Sequence, residues 1–328
     1  MNLAEDNSLD PEKQDTTASP SDDNSEKVQT SVFVFEPADF SNIPPPIRPI
    51  PFWQRPDIPE DLRITWSWVH FLCFIGFSVM SLIIVQTALM IHYSPHQELS
   101  PKELQDYLLG LPQFVVGTTV ALFAIVFLFL YVTLAVLPGR PFWSNLGWKK
   151  WRPSRWPLGL RILFFFVLGA ILSLFVSLVG SQVQVPDNLP INELMKSRLG
   201  FFLMMGMAVA IAPLVEETLF RGYLYPLLVR LISTASQHFG AESAKATKAA
   251  VSISILITGV LFGLLHGAQL SWTWGIVSLL IFVGIIFTYV RARSGTVFAS
   301  FLMHFGYNLL IAVISLFETH GFKNLPPR

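Results

Sequence analysis

The sequence has little charge, almost no cysteine and no signal-peptide pattern, and each absence excludes a class of protein. Charged residues make up 13% of the 328 residues and hydrophobic residues 52%, a balance typical of chains solvated by lipid rather than by water. Cys73 is the single cysteine, so no intrachain disulfide can form. The N-terminus has no basic region followed by a short apolar core, so no cleaved signal peptide is expected. The zero formal net charge gives no reason to expect a nucleic-acid partner.

Long apolar stretches make up most of the sequence after the first 65 residues. A helix needs about 20 residues to cross the hydrocarbon core of a bilayer, and seven stretches approach or exceed that length. They are residues 66–91, 113–137, 158–180, 199–215, 249–270, 274–290 and 297–317. The predicted fold class is therefore all-α, a polytopic transmembrane bundle of about seven spans. We expect it to be surrounded by membrane lipid, as a multi-pass protein of the cell (inner) membrane.

Composition divides the chain into four parts. Residues 1–62 are rich in Asp, Glu, Ser, Asn and Pro and cannot bury enough apolar surface to fold alone. We predict a disordered acidic tail there, either a solvated leader or a segment that binds a partner. Residues 63–198 form the N-terminal transmembrane helices, residues 199–316 form a second helical group that carries polar motifs, and residues 317–328 form a short C-terminal tail.

Basic residues are divided unevenly between the two sides of this bundle. From Arg48 onward, fifteen Lys and Arg residues fall on the side of the N-terminus and five on the other side. Six of the fifteen lie between the end of the second span and the first turn of the third, without any acidic residue among them: Arg140, Lys149, Lys150, Arg152, Arg155 and Arg161. Because cytoplasmic loops carry the excess of Lys and Arg, we predict that the N-terminus is cytoplasmic.

Glu216, Glu217 and Arg221 stand where membrane proteins rarely place charge, directly after the fourth apolar stretch. Ionisable groups at membrane depth are costly and are functional candidates by default. On a helix, Glu217 and Arg221 share a face in the favourable order, with the acid first. Glu216 is rotated away from Arg221 and has Phe220 one turn further on, so it lacks a counter-ion and is a candidate general base. A purely structural ion-pair cluster is the alternative.

His266 lies near the end of the fifth apolar stretch, one turn after Phe262. The phenyl ring could pack under the imidazole and fix its orientation. Gly259, Gly263 and Gly267 form a stripe of small residues on the same helix, which permits close helix approach in membranes. His266 should therefore face protein, as a catalytic residue or as an interhelical hydrogen-bonding residue.

His304 and Asn308 share a helix face in the seventh apolar stretch. Asn308 could donate to a developing oxyanion or hold His304 in one tautomer; a polar seam between helices is the alternative.

Together, Glu216, His266 and His304 could polarise a water molecule directly or bind zinc. No His-Glu-x-x-His or Gly-x-Ser-x-Gly motif is present. A proton-relay transporter, although no inverted repeat is seen, and a non-catalytic scaffold remain rival functions.

The motifs Glu-Glu-x-x-x-Arg, Phe-x-x-x-His and His-x-x-x-Asn follow one another on successive predicted membrane helices. This order resembles the family of CAAX prenyl proteases and bacteriocin-processing enzymes, over about residues 199–316. The resemblance implies an intramembrane endopeptidase that hydrolyses a peptide bond in a peptide or protein substrate, which in some members is lipidated. The matching residues are Glu216, Glu217, Arg221, Phe262, His266, His304 and Asn308.

The resemblance also implies roles for these residues. Glu216 and His266 would activate water, His304 and Asn308 would bind the oxyanion, and Glu217, Arg221 and Phe262 would support the site. Family members are usually called metalloproteases, which implies zinc on Glu216, His266 and His304; a metal-free glutamate mechanism stays open. One expectation conflicts with this grouping. The predicted spans put Glu216 and His304 near the cytoplasmic side and His266 near the other side, unless the fifth helix is displaced or starts later than residue 249.

Overall fold

The computed structural model describes residues 52–320, except residues 57, 96, 98, 152–154, 185–193, 195 and 196. The predicted tail up to residue 51 and the basic residues Arg152, Lys196, Lys323 and Arg328 lie outside this part of the chain. Within the described part the regular structure is helical and no β-strand occurs. The prediction of an all-α fold is confirmed.

Nine helices can be followed along the described residues. In chain order they are α1 (Trp68–Tyr93), α2 (Pro101–Leu109), α3 (Pro112–Val136), α4 (Phe142–Asn145), α5 (Leu158–Gly180), α6 (Arg198–His238), α7 (Ser243–Leu265), α8 (Trp274–Ser294) and α9 (Val297–Glu318). All except the short α2 and α4 are long and apolar enough to cross a membrane. The seven predicted spans are therefore confirmed as helices, and their exposed Leu, Ile and Phe side chains form the surface that lipid would cover.

Helix α6 differs most from its prediction. The fourth apolar stretch ends at residue 215 and was expected to extend at most a little past Glu216, whereas the helix continues to His238. It includes π-helical turns at Met207–Ile211 and Glu217–Leu224. The polar residues of the second π-helical segment do not end the helix because other helices bury them and supply their hydrogen-bond partners.

Helix α7 also departs from its prediction. The greater length of α6 and the earlier start of α7 together explain how Glu216 and His266 lie at the same depth, which the predicted spans did not allow. It begins at Ser243, before the predicted start at residue 249 and not after it. The residues added at this end are mostly Ala and Lys, which favour helix. Glu216 lies 22 residues before His238, and His266 lies 23 residues after Ser243. Helices α6 and α7 are consecutive and pack against each other, so the two side chains reach the same height in the bundle.

Glycines set two close helix crossings. A Cβ atom on Gly259 or Gly263 of α7 would lie 2.6 Å from the backbone nitrogen of Ile285 or Ile281 of α8, respectively. This is too close for any side chain, so the small-residue stripe brings the two backbones together as expected. Gly267 lies beyond the end of α7 and contacts the Trp272 ring instead.

The crossing of α5 and α9 has the same basis. Gly169 of α5 faces the Met303 backbone, and Gly306 of α9 faces the Phe166 carbonyl group; a Cβ atom at either glycine would overlap that backbone. His304 lies between these two contact points on α9. The crossing therefore fixes the position of His304 in the bundle.

The segment before α1 packs on the helices, although the predicted disordered tail extends to residue 62. Phe52, Ile58 and Leu62 are buried and belong to a core cluster with Tyr223 and Tyr225 of α6. The prediction rested on the mean composition of the whole tail, whereas its apolar residues are concentrated at its end. The packed part of the chain therefore begins before residue 62.

A buried ion pair holds this segment to α8. Arg291 Nη1 lies 2.7 Å from Asp61 Oδ2, and Arg291 Nη2 donates to the Asp61 carbonyl oxygen at 3.0 Å. The Arg291 side chain is 0% exposed and the Asp61 side chain 9%. Removing one partner of such a pair leaves the other charge buried and uncompensated, which costs more than the pair contributes.

We therefore expect Asp61→Asn to lower the stability of the purified protein by about 3–5 kcal/mol. The neighbouring change Glu60→Gln is a matched control, because Glu60 is 82% exposed and lies 3.7 Å from Lys149. Thermal unfolding in detergent compares the two variants with the wild type. Equal melting temperatures for Asp61→Asn and Glu60→Gln would show that the pair does not hold the segment.

Candidate active site

Glu217 and Arg221 form an ion pair inside α6, as their spacing predicted. Arg221 Nη1 lies 3.0 Å from Glu217 Oε1, and both side chains are 0% exposed. The π-helical segment that contains them brings four-residue neighbours onto one side of α6. A fully buried guanidinium needs partners for its other N–H groups as well.

Helix α8 and two aromatic rings supply these partners. Arg221 Nε donates to Thr288 Oγ1 at 3.2 Å, and Nη2 donates to the Gly284 carbonyl oxygen at 2.9 Å. The guanidinium carbon also lies 4.5 Å from the centre of the Phe262 ring and 5.5 Å from that of Phe287, within the range of cation–π attraction. Arg221 thereby joins α6 to α8 and α7.

His304 of α9 contacts both glutamates. Its Nδ1 lies 3.0 Å from Glu217 Oε1, and its Nε2 lies 3.9 Å from Glu216 Oε2. Because Glu217 Oε1 already accepts from Arg221, it is an acceptor for His304 as well, and Nδ1 carries a proton. In the neutral ring Nε2 is then the lone-pair nitrogen, and it faces Glu216.

His266 follows the last residue of α7 and is held on two sides. Its Nδ1 lies 2.8 Å from the Phe262 carbonyl oxygen, which can only accept, so Nδ1 carries the proton. The centres of the His266 and Phe262 rings are 4.9 Å apart, in agreement with the expected packing. His266 Nε2 lies 3.9 Å from Glu216 Oε1.

Glu216 is therefore the point at which three helices meet. One carboxylate oxygen faces each imidazole at 3.9 Å, longer than a hydrogen bond, and the side chain is 20% exposed. A water molecule at about 2.7–2.9 Å from both members of either pair can bridge such a separation. A carboxylate and two lone-pair nitrogens are all acceptors, so the site is suited to a molecule that donates protons.

The same three side chains were predicted as zinc ligands. Their donor types suit zinc, but tetrahedral bonds of about 2.0–2.1 Å place two ligand atoms only about 3.3–3.4 Å apart. The pairs in this site are 3.9 Å apart. In the part of the chain that the structure describes, no group of three or more His, Cys, Asp or Glu side chains is arranged to hold a metal ion. A bridging water fits these separations as they stand, zinc would require each pair to close by about 0.5 Å, and zinc binding stays a prediction.

Asn308 lies on the same helix as His304 but contacts a different group. Its Nδ2 donates to the Ala208 carbonyl oxygen of α6 at 2.7 Å, within the first π-helical segment. The expectation that Asn308 fixes the His304 tautomer is not met, because Glu217 holds His304 Nδ1 instead. The irregular turn of α6 presents a carbonyl group that the amide satisfies.

Sequence reasoning missed three residues of the support. Thr288 and Gly284 of α8 bind Arg221, and Phe287 packs against His304 with ring centres 4.8 Å apart. They lie in an apolar stretch whose nearest charged residue is Arg291, three residues after Thr288. The four-residue spacing of a small and a hydroxyl residue was their only signal, and it is common in membrane helices.

We expect Glu217→Gln and Arg221→Gln each to lower stability by about 3–5 kcal/mol, because each leaves a buried charge unpaired. The double change should cost less than the sum of the single changes. The exposed pair Glu242 and Lys245, at 2.9 Å, is the matched control, and its removal should have little effect. Chemical or thermal unfolding of the purified variants measures this, and additive losses at Glu217 and Arg221 would contradict a direct interaction.

Comparison with known proteins places this site in a family. No curated protein and no solved structure matches the chain. Residues 198–310, about a third of its length, match the family model described as type II CAAX prenyl endopeptidase Rce1-like. The matched range contains Glu216, His266 and His304 with their supporting residues, so the resemblance drawn from the motifs is confirmed. The chain is a multi-pass membrane protein whose residues 198–310 are similar to the Rce1-like family of type II CAAX prenyl endopeptidases.

Proposed function

We propose that this protein is an intramembrane endopeptidase in which Glu216 and His266 activate the attacking water. The observation that supports the proposal is the geometry of Glu216, whose two oxygens face His266 Nε2 and His304 Nε2 at 3.9 Å each. A partly buried carboxylate with room for a water molecule between it and two imidazole nitrogens is the arrangement expected of a general base. The family match at residues 198–310 supports the reaction type.

The proposed reaction begins with water held between Glu216 and His266. Glu216 accepts a proton from the water, while His266 Nε2 accepts a hydrogen bond from its second O–H group and directs the oxygen lone pair. The oxygen attacks the carbonyl carbon of the substrate peptide bond and forms a tetrahedral oxyanion. Protonated Glu216 then gives its proton to the leaving nitrogen as the C–N bond breaks, and the carboxylic acid that forms passes its remaining proton to His266 Nε2, which yields a carboxylate and an amine.

His304 is the group we assign to the oxyanion. Its Nδ1–H group is engaged by Glu217, so donation from Nε2 to an oxyanion requires the imidazolium form. Asn308 can assist only if its amide leaves the Ala208 carbonyl group. We therefore assign it a smaller part than His304 in stabilising the oxyanion.

The ion pair of Glu217 and Arg221 supports these groups without touching the substrate. Glu217 fixes the His304 ring, and Arg221 fixes Glu217 through its bonds to α8. Preorganised donors stabilise a developing charge more strongly than donors that must first reorient. We propose that the substrate is a segment of a peptide or protein near its C-terminus, and that this segment can carry a lipid. We also propose that the N-terminus of the protease lies in the cytoplasm.

The change Glu216→Gln keeps the shape of the side chain and removes the base. We expect cleavage to fall at least about 100-fold, the usual contribution of a positioned general base. Thermal stability should hold or rise, because an unpaired carboxylate inside the bundle has been neutralised. His266→Ala should be similarly inactive.

Comparison of protein termini in cells that carry the wild type or Glu216→Gln measures the loss and identifies substrates. Glu318→Gln, at an exposed position at the end of α9, is the control and should cleave normally. A well-folded Glu216→Gln protein that cleaves at near wild-type rate would exclude this mechanism. If no termini differ although all variants fold, a transporter or scaffold function becomes the better explanation.

A further inference from the structure

A polar cavity lies outside the candidate active site, beside α4. Its volume is about 710 Å³. The cavity is lined by Glu60, Arg140, Pro141, Ser144, Asn145, Trp148, Lys149 and Lys150. Three cations and one carboxylate therefore share one concave surface, with a net positive charge.

The positive charge of this cavity is only partly compensated. Lys149 Nζ lies 3.7 Å from Glu60 Oε1 and donates to the Glu60 carbonyl oxygen at 3.1 Å. Among the described residues, no acidic side chain forms an ion pair with Arg140 or Lys150. Two cations thus remain available to an anion that enters the cavity.

Exposed apolar residues next to the cavity lining in sequence form what we call its rim, and one of them, Trp143, packs against the lining residue Trp148 with ring centres 5.7 Å apart. Leu137, directly after α3, is 75% exposed and Trp143 is 46% exposed. The connection between two spanning helices lies at the depth of the lipid headgroups, where tryptophan rings are favoured. The cavity therefore combines cations at headgroup depth with exposed apolar groups that an acyl chain could cover.

We propose that this cavity, which we call the α4 cavity, binds the phosphate group of an anionic phospholipid. Arg140 and Lys150 would contact the phosphate oxygens, and the apolar rim would contact the acyl chains. Basic pockets between spanning helices recognise anionic headgroups by this combination of charge and depth. An inorganic phosphate ion would use only the cations and gain nothing from the rim.

Lipid bound here would stabilise the wall of the candidate active site. Trp148 of the cavity donates from Nε1 to Thr218 Oγ1 at 3.1 Å, and Thr218 follows Glu217 in α6. A Cβ atom on Gly222 of α6 would lie 2.6 Å from the Leu146 carbonyl oxygen, so the cavity loop and α6 are in close contact. Ligand that binds only the folded form raises its stability by mass action.

The test uses the purified full chain in a nonionic detergent. Phosphatidylglycerol should raise the melting temperature by about 2–4 °C more than phosphatidylcholine at the same concentration. The double variant Arg140→Gln/Lys150→Gln should lose this difference. The double variant Lys245→Gln/Lys248→Gln removes two exposed cations on the same predicted membrane side and should keep it.

Three results would overturn the proposal. The first is an equal rise in melting temperature with phosphatidylglycerol and phosphatidylcholine. The second is that both double variants lose the difference between the two lipids equally. The third is that inorganic phosphate alone raises the melting temperature as much as phosphatidylglycerol does. If the Arg140 and Lys150 double variant does not fold, the single change Lys150→Gln and native mass spectrometry of lipids retained by the wild type answer the same question. The experiment requires no cleavage assay, so its outcome is independent of the proposed protease activity.

Discussion

Arg221 carries a charge at the centre of a helical bundle, and this charge must be paired if the bundle is to be stable. Its guanidinium is 0% exposed and reaches Glu217 on its own helix, Thr288 and Gly284 on α8, and the Phe262 ring on α7. Each of these contacts fixes the rotation of a helix as well as its distance. Removing one partner would leave a buried charge uncompensated among the remaining groups. The arrangement of α6, α7 and α8 therefore depends on this one side chain.

The geometry of the candidate site follows from that constraint. With Glu217 turned toward Arg221, the adjacent Glu216 must point to a different face of α6, where it meets His266 and His304. Glu217 accepts from both Arg221 and His304, so the ion pair also orients the imidazole that faces Glu216. A structural pair and a chemically available carboxylate thus arise from two consecutive residues, because a helix separates neighbouring side chains by about 100°.

Local helix geometry made part of this arrangement predictable. Spacing alone gave the pair of Glu217 and Arg221, the separate orientation of Glu216 and the packing of Phe262 under His266. The length of α6 and the buried segment before α1 could not be predicted, because both depend on partners far away in sequence, such as Arg291 for Asp61. Hydropathy ended the fourth span at residue 215, since it counts Glu217 and Arg221 as solvated although both are buried. The contact of Asn308 with Ala208 likewise depends on an irregular turn that no sequence pattern indicated.

The central claim is that Glu216, His266 and His304 meet at one point from three helices. Cysteine pairs introduced as Glu216→Cys/His266→Cys and Glu216→Cys/His304→Cys, in a Cys73→Ser background, test it by cross-linking with a short thiol-specific reagent in membranes. The pair Glu216→Cys/Leu265→Cys is the control, because Leu265 is adjacent to His266 in sequence but 69% exposed. The account predicts rapid cross-linking of the first two pairs and little of the control. Failure of either pair to cross-link, or equal reaction of the control, would contradict it.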